Sequence, residues 1–197
     1  MKKFGFPILN DEDDHEIELN QIRETLSIYS NLIQGEHEAY SNKNLKMHFP
    51  ILPCPALLYL VEASTNIFSQ EPMMLELSSP INVVGDLHGQ IIDLFRILKF
   101  CGQPPNRQYL FLGDFIDRGH FSLETLILVY SLKLLFPSKI FIVRGNHEFE
   151  SDDVLDHSIF CSEIESIYGN RLIYDLFIKS FTFLPLAAKV DNFFLCL

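Results

Sequence analysis

The sequence of 197 residues contains no tryptophan, and its four cysteines lie far apart along the chain. Without a Cys-x-x-Cys pair, these cysteines have neither the spacing of a zinc site nor that of a dithiol redox motif. We therefore expect free thiols in a reducing compartment, the cytoplasm or the nucleus. No apolar run approaches the ~18 residues of a membrane span, and the amino terminus has no secretory signal. We expect a protein that does not enter a membrane.

Basic residues are also scarce, since 15 Lys and Arg stand against 26 Asp and Glu, which gives a net charge of −11. An acidic chain is a poor partner for nucleic acids and anionic membrane surfaces, so we expect neither as a ligand. The same charge favours cationic cofactors. With 48% hydrophobic and 21% charged residues, the composition excludes a disordered or collagen-like chain.

The chain divides at about residue 50. Residues 1–50 are predicted to form an acidic, helical N-terminal extension, with a helix over 14–34 and a connector after it. From residue 51 a helix opens at Pro53 and Pro55, and strands and helices then alternate. Strands are expected over 74–77, 81–84, 108–112 and 139–143, helices over 90–100, 122–135 and 161–181, and a hairpin over 186–197. This alternation predicts an α/β (α+β) fold around a βαβαβ unit of parallel strands.

Polar residues follow three of the predicted strands at the point where each strand ends. The first strand runs into Gly85-Asp86-Leu87-His88, the second into Gly113-Asp114 and the third into Arg144-Gly145-Asn146-His147. Because the carboxyl ends of parallel strands lie side by side, we expect these residues to converge. A single Gly-Asp pair is usually only an Asx turn, but three such loops in one unit indicate a site.

The residue types suit two metal ions. Asp86 and His88, two residues apart on one loop, are able to bind the same ion. Asp114 has two carboxylate oxygens and is able to bridge two ions, and Asn146 offers a neutral oxygen to the second. Mixed nitrogen and oxygen ligands suit Mn, Fe or Zn without deciding between them. Two adjacent ions of this kind hydrolyse phosphate esters in many enzymes.

Four further residues complete the predicted site. His147 follows Asn146, so its side chain should point elsewhere and be free to act as a general acid on a leaving alcohol. Asp117 is placed to orient His147 and to stabilise its charged ring. The guanidinium groups of Arg118 and Arg144 are suited to binding phosphate oxygens.

At these residues the sequence resembles the PPP family of metal-dependent serine/threonine protein phosphatases. The blocks that carry the resemblance are GDLHGQ (85–90), GDFIDRG (113–119) and RGNHE (144–148), supported by IFSQEPMMLEL (67–77), FSLETL (121–126) and FLPLAA (183–188). The resemblance extends over about residues 53–197, and residues 1–50 show none.

The resemblance implies a metallophosphoesterase-like β-sandwich flanked by helices, with the site on loops at the strand ends. It implies that Asp86, His88 and Asp114 bind the first of two divalent ions (Mn, Fe or Zn), and Asp114 and Asn146 the second. His147 is then the proton donor and Asp117 its partner, and the phosphate-binding residues are Arg118 and Arg144. The implied substrates are phosphoserine and phosphothreonine in proteins, and regulatory subunits are common in the family.

The sequence departs from the family pattern after Leu197, where the family has a His-Gly-Gly segment, an Arg and another His. We therefore expect residues 51–197 to be the N-terminal portion of a phosphatase domain, with a sandwich incomplete at its C-terminus and an incomplete second metal site. Two alternatives to an active protein phosphatase stay open. One is a catalytically inactive, truncated phosphatase that acts as a binding fragment, and the other is a metallophosphoesterase that acts on nucleotides.

Overall fold

A computed structural model describes residues 15–35, 49–149 and 159–197. Predictions for the remaining residues, including most of the connector after the first helix, lie outside the described residues. The described ranges contain six helices and six strands. In chain order they are α1 (Glu16–Gln34), α2 (Cys54–Gln70), β1 (Met74–Leu77), β2 (Asn82–Val84), α3 (Ile91–Cys101), β3 (Tyr109–Phe111), α4 (Ser122–Leu135), β4 (Ile140–Ile142), α5 (Ile159–Tyr168), α6 (Leu172–Phe181), β5 (Ala187–Val190) and β6 (Phe194–Cys196).

The strands form two three-stranded sheets. The first has the order β1-β5-β6, in which β1 and β5 are parallel and β5 and β6 form the predicted antiparallel hairpin. The second has the order β2-β3-β4, and all of its strands are parallel. The predicted βαβαβ unit is therefore confirmed, and so is the mixed α/β sandwich-like architecture with flanking helices.

Side chains from both sheets share a small apolar cluster, formed by Leu75, Leu110, Val143, Ala188 and Val190. The larger core lies among the helices and includes the neighbours of Leu110 on β3, Tyr109 and Phe111. The alternation along β3 follows from the two-residue period of a strand, which sends successive side chains to opposite faces. All three residues of β3 are fully buried, as expected for the central strand of a sheet covered on both faces.

Helix α1 packs into the larger core, although no family motif lies in it. Its residues Ile22, Tyr29 and Ile33 are buried together with residues of α2, α3 and α4. At its C-terminus, the Nζ of Lys99 on α3 donates a hydrogen bond to the carbonyl of Gly35 at 2.6 Å, where helices favour cations. The domain boundary at residue 50 stays a prediction.

The prediction of one helix over 161–181 is wrong, because the chain forms two helices there. Helix α5 ends at Tyr168, and the φ of +63° at the following Gly169 is the left-handed conformation that favours glycine after a helix. The side chain of Asn170 then accepts a hydrogen bond from the backbone N–H of Leu172, the first residue of α6, at 3.0 Å. A Gly-Asn pair is thus the local signal for the break.

The hairpin of β5 and β6 exposes a group of apolar side chains. In the turn between the two strands, Asp191 and Asn192 both have positive φ, the conformation that matches the twist of two antiparallel strands. Beyond the turn, large side chains on β6 and beside it are mostly exposed: Phe193, Phe194, Leu195 and Leu197. Strand β6 is also an edge of its sheet. Within the described ranges, no helix has both the length and the apolar character needed to cross a membrane.

We expect the exposed hairpin to cause self-association, because open strand edges and apolar patches pair with other chains. Replacing Phe193 and Leu195 together by serine should lower the mass-average size measured by light scattering without lowering the unfolding temperature. Phe100→Ser is the matched control, since Phe100 is an isolated phenylalanine on α3 that is 93% exposed. An unchanged size for the double variant would show that the hairpin is not the contact.

Candidate functional site

Three loops meet at the carboxyl edge of the parallel sheet β2-β3-β4, as the sequence predicts. The loop after β2 is hydrogen-bonded along its backbone to the loop after β3. The N–H groups of Leu87 and His88 both donate to the carbonyl of Asp114, at 3.0 and 2.8 Å, and the N–H of Gly89 donates to the carbonyl of Phe115 at 2.7 Å. These bonds fix the position of His88 relative to Asp114.

The loop after β4 is joined to the same point by Glu148. Its Oε2 accepts hydrogen bonds from the N–H groups of Asp114 and Gly145, at 2.7 and 3.1 Å, and its Oε1 accepts one from Phe115 at 2.8 Å. The backbone N–H of His147 also donates to Oδ1 of Asp114 at 2.9 Å. All three loops are therefore bonded to Asp114.

Glu148 is not among the site residues predicted from the sequence. The residue is 1% exposed. Burial raises the pKa of its carboxyl, while hydrogen bonds from Phe115, Asp114 and Gly145 work in the opposite direction and the Asp114 carboxylate raises the pKa further. An acidic residue directly after a Gly-Asn-His turn was the available signal, but its backbone partners lie on two different loops. Only the folded chain brings them together.

The side chain of His88 has the environment of a metal ligand. Its Nδ1 lies 2.8 Å from the carbonyl of Ile116, which accepts a hydrogen bond from a protonated Nδ1 and leaves Nε2 free to bind a ligand. Metal-binding histidines are usually held in this way. Nε2 itself is buried and has no hydrogen-bond partner. A buried nitrogen without a partner is costly, so a cation at this position would satisfy it.

Two carboxylates face this nitrogen. Oδ2 of Asp86 and Oδ2 of Asp114 each lie 3.8 Å from Nε2 of His88. That distance is too long for a hydrogen bond but short enough for one ion to bind both atoms at about 2.1 Å each. Nitrogen and oxygen atoms of His88, Asp114 and His147 also lie within 4.8 Å of one another. The residues present therefore fit a divalent cation.

His147 lies beside the ligand group and has two charged neighbours. Its Nδ1 is 3.0 Å from Oδ2 of Asp117, and its Nε2 is 3.3 Å from Nη2 of Arg118. Its ring meets that of His88 edge to face, with centroids 4.7 Å apart. The expected pairing of His147 with Asp117 is thus present, and the Nε2 atom is the one that faces Arg118.

The other predicted site residues make fewer contacts within the site. The side chain of Asp86 is 63% exposed, and Asn146 is exposed on the loop after β4. The guanidinium of Arg144 lies over the ring of Phe149, 4.2 Å from its centroid, and its buried Nε has no hydrogen-bond partner. The structure thus brings Asp86, His88, Asp114 and His147 together, whereas no side-chain hydrogen bond is described for Asn146.

The loops hold unusual backbone conformations. Positive φ angles occur at four predicted site residues, His88, Asp114, Asp117 and Arg118. Residues other than glycine rarely adopt this conformation, and clusters of it occur at functional sites. Gly145 is needed for close approach, since a Cβ there would lie 2.2 Å from Oδ1 of Asp114 and 2.4 Å from its backbone nitrogen.

Comparison with known proteins agrees with this geometry. Residues 79–197, which include all three loops, match the calcineurin-like phosphoesterase family. The chain belongs to this family. Among the phosphoesterases that it resembles is a Schizosaccharomyces pombe protein whose name places it with the serine/threonine-protein phosphatases, 41% identical over 140 residues. The match includes 71% of this chain and 45% of that protein.

Solved structures show the same relationship. A protein serine/threonine phosphatase from Saccharomyces cerevisiae with similarity to human phosphatase PP5 superposes with a TM-score of 0.69 and 36% identity. The alignment covers 82% of this chain and 53% of that one. A cold-active protein-tyrosine phosphatase from a psychrophilic Shewanella shares the fold, with a TM-score of 0.50, 18% identity, and coverage of 64% and 44%. This phosphoesterase chain spans about half the length of the relatives that it matches.

We expect Glu148→Ala to lower the free energy of unfolding by about 2–4 kcal/mol, because three backbone N–H groups lose a buried acceptor. Urea titration followed by circular dichroism measures the change. Glu165→Ala, at an exposed position of α5, is the control and should be within about 0.5 kcal/mol of the unmodified chain. A Glu148→Ala protein of unchanged stability would show that Glu148 does not hold the loops together.

Proposed function

We propose that this phosphoesterase hydrolyses phosphoserine and phosphothreonine in proteins, with two divalent ions as cofactors. The observation that carries the proposal is the convergence of His88, Asp86 and Asp114 beside the His147–Asp117 pair. The first group has the character of a metal site and the second that of a proton donor with its orienting carboxylate. The protein substrate class is supported by the S. pombe and S. cerevisiae relatives, which are described as serine/threonine phosphatases.

Asp86, His88 and Asp114 would hold the first ion, and Asp114 and Asn146 would contribute to the second. Such ions, of which Mn, Fe and Zn suit these ligands, lower the pKa of water and offset phosphate charge when bound.

The remaining residues act on the phosphate and the leaving group. Arg118 and Arg144 would donate hydrogen bonds to phosphate oxygens, and the guanidinium of Arg144, which lies over the ring of Phe149, keeps its N–H groups at the edge of that stack. As water attacks phosphorus and the bond to the serine or threonine oxygen breaks, that oxygen takes a proton from Nε2 of His147, which Arg118 leaves free when its guanidinium binds the phosphate. The protons of the attacking water remain on the phosphate product or pass to solvent. Asp117, on Nδ1, would stabilise the protonated ring before this transfer. The products are the free alcohol and inorganic phosphate.

The test is hydrolysis of phosphoserine and phosphothreonine peptides by the chain with Mn²⁺. His147→Gln should lower kcat by about 10²–10⁴, the usual effect of losing a general acid, with Mn²⁺ still bound. His120→Gln is the matched control, because His120 is an exposed histidine of the same loop to which no role in the reaction is assigned. Equal kcat for both variants would remove His147 from the acid role.

The same assay separates the alternative functions. Faster hydrolysis of dinucleoside polyphosphates than of phosphopeptides would show a nucleotide-directed phosphoesterase instead. Binding of phosphopeptides without hydrolysis of either substrate would show an inactive binding fragment.

We further expect this phosphoesterase to act in the cytoplasm or the nucleus, with regulatory subunits as partners.

A further inference from the structure

Helix α4 begins directly after the loop that carries Asp114, Asp117 and Arg118, and its N-terminus has no side-chain cap from its own N-cap residue. Ser122 is the first residue of the helix. The N-cap position is occupied by Phe121, whose side chain cannot accept a hydrogen bond. The first backbone N–H groups of α4 therefore need acceptors from elsewhere.

Glu163 on α5 supplies the missing acceptor. Its Oε2 accepts a hydrogen bond from the N–H of Leu123, 40 residues earlier in the chain, at 3.1 Å. A carboxylate at this position also interacts favourably with the positive end of the helix dipole. The cap of α4 is thus a contact between two helices, and it joins α5 to the end of the site loop.

The capped end of α4 touches the other site loop as well. A Cβ on Gly89 would lie 3.0 Å from both the backbone nitrogen and the hydroxyl of Ser122, so the two backbones are in contact. Gly89 directly follows His88, and its N–H is bonded to the carbonyl of Phe115. The first turn of α4 therefore lies against both loops that carry the metal-ligand candidates His88 and Asp114.

We propose that Glu163 is a positioning residue for the metal site. By capping α4, it holds the loops 85–90 and 113–121 in place. Glu163 can have this role only if the two loops bind a metal as proposed above. It touches none of the ligands itself and acts through Leu123 and the first turn of α4.

The charged surroundings of Glu163 give the proposal a signature in pH. Burial raises the pKa of Glu163 to about 7 from an ordinary value of 4.5, the hydrogen bond from Leu123 works against this rise, and Glu124 on α4 adds to it. Tyr29 on α1 and Tyr168 on α5 interact with Glu124. Cys161 lies on α5, half a turn before Glu163. Its pKa is affected by the charges of Arg171, just before α6, and Asp175, on α6.

The direction of the pH effect follows from this raised pKa. The stability that Glu163 contributes is fully present below about pH 4.5 and is lost as the pH rises to about 7. Glu163→Gln keeps an oxygen acceptor but does not titrate. Between about pH 4.5 and 7, the unfolding temperature of the unmodified chain should therefore fall relative to that of the Gln variant. Glu148 titrates in both proteins and cancels in the difference. Glu165→Gln, from the same helix, should retain the unmodified profile.

The positioning role is tested by Mn²⁺ binding and by amide hydrogen exchange. Glu163→Leu removes the cap and should weaken Mn²⁺ binding about tenfold, as the loss of a group that supports metal ligands commonly does. Glu163→Asp, a milder change that shortens the side chain, should weaken binding several-fold, while Glu163→Gln should restore it. In the Leu and Asp variants, exchange should accelerate over 85–90 and 113–119 as well as over 122–125.

A role confined to helix stability would give a different result. The Leu and Asp variants would then unfold at lower temperature, bind Mn²⁺ as the unmodified chain does, and exchange faster over 122–125 alone, which would overturn the proposal. If the unmodified chain bound no Mn²⁺, the metal site itself would be wrong. The exchange of 85–90 and 113–119 would then still decide whether Glu163 holds the loops.

Discussion

The arrangement of the whole site depends on the hydrogen bonds of one residue, Asp114. Its carbonyl accepts from the loop after β2, its N–H donates to Glu148 of the loop after β4, and its Oδ1 accepts from the N–H of His147. Its second carboxylate oxygen stays directed at Nε2 of His88. A displacement of Asp114 would therefore move both neighbouring loops.

This arrangement requires backbone conformations that the chain would not adopt by itself. Left-handed φ angles at residues other than glycine cost about 1–3 kcal/mol each, and four of them occur at His88, Asp114, Asp117 and Arg118. Two features offset the free-energy cost of these conformations. One is the apolar burial of β3 next to the loop, and the other is the three hydrogen bonds that Glu148 accepts. The result is a set of side chains held in place before any ligand binds, which a metal centre requires.

The convergence of Asp86, His88 and Asp114 could be predicted from the sequence, because parallel strands of similar length end at one edge. The pairing of His147 with Asp117 followed from the same rule. Glu148 and Glu163 could not be found in this way, since their partners are backbone N–H groups on other loops and helices. The break at Gly169 had a local signal in Gly-Asn, whereas the packing of α1 on α2, α3 and α4 depends on tertiary contacts that periodicity alone does not specify.

Binding of Mn²⁺, measured by electron paramagnetic resonance, shows most directly whether the three loops form one metal site around Asp114. We expect Asp114→Asn to weaken Mn²⁺ binding more than Asp86→Ala does, since Asp114 is the proposed bridging ligand, and both variants to bind less Mn²⁺ than the unmodified chain. Asp93→Asn, at an exposed carboxylate paired with Arg96, should bind as the unmodified chain does. Equal Mn²⁺ affinity in all four proteins would show that the three loops do not form a metal site around Asp114.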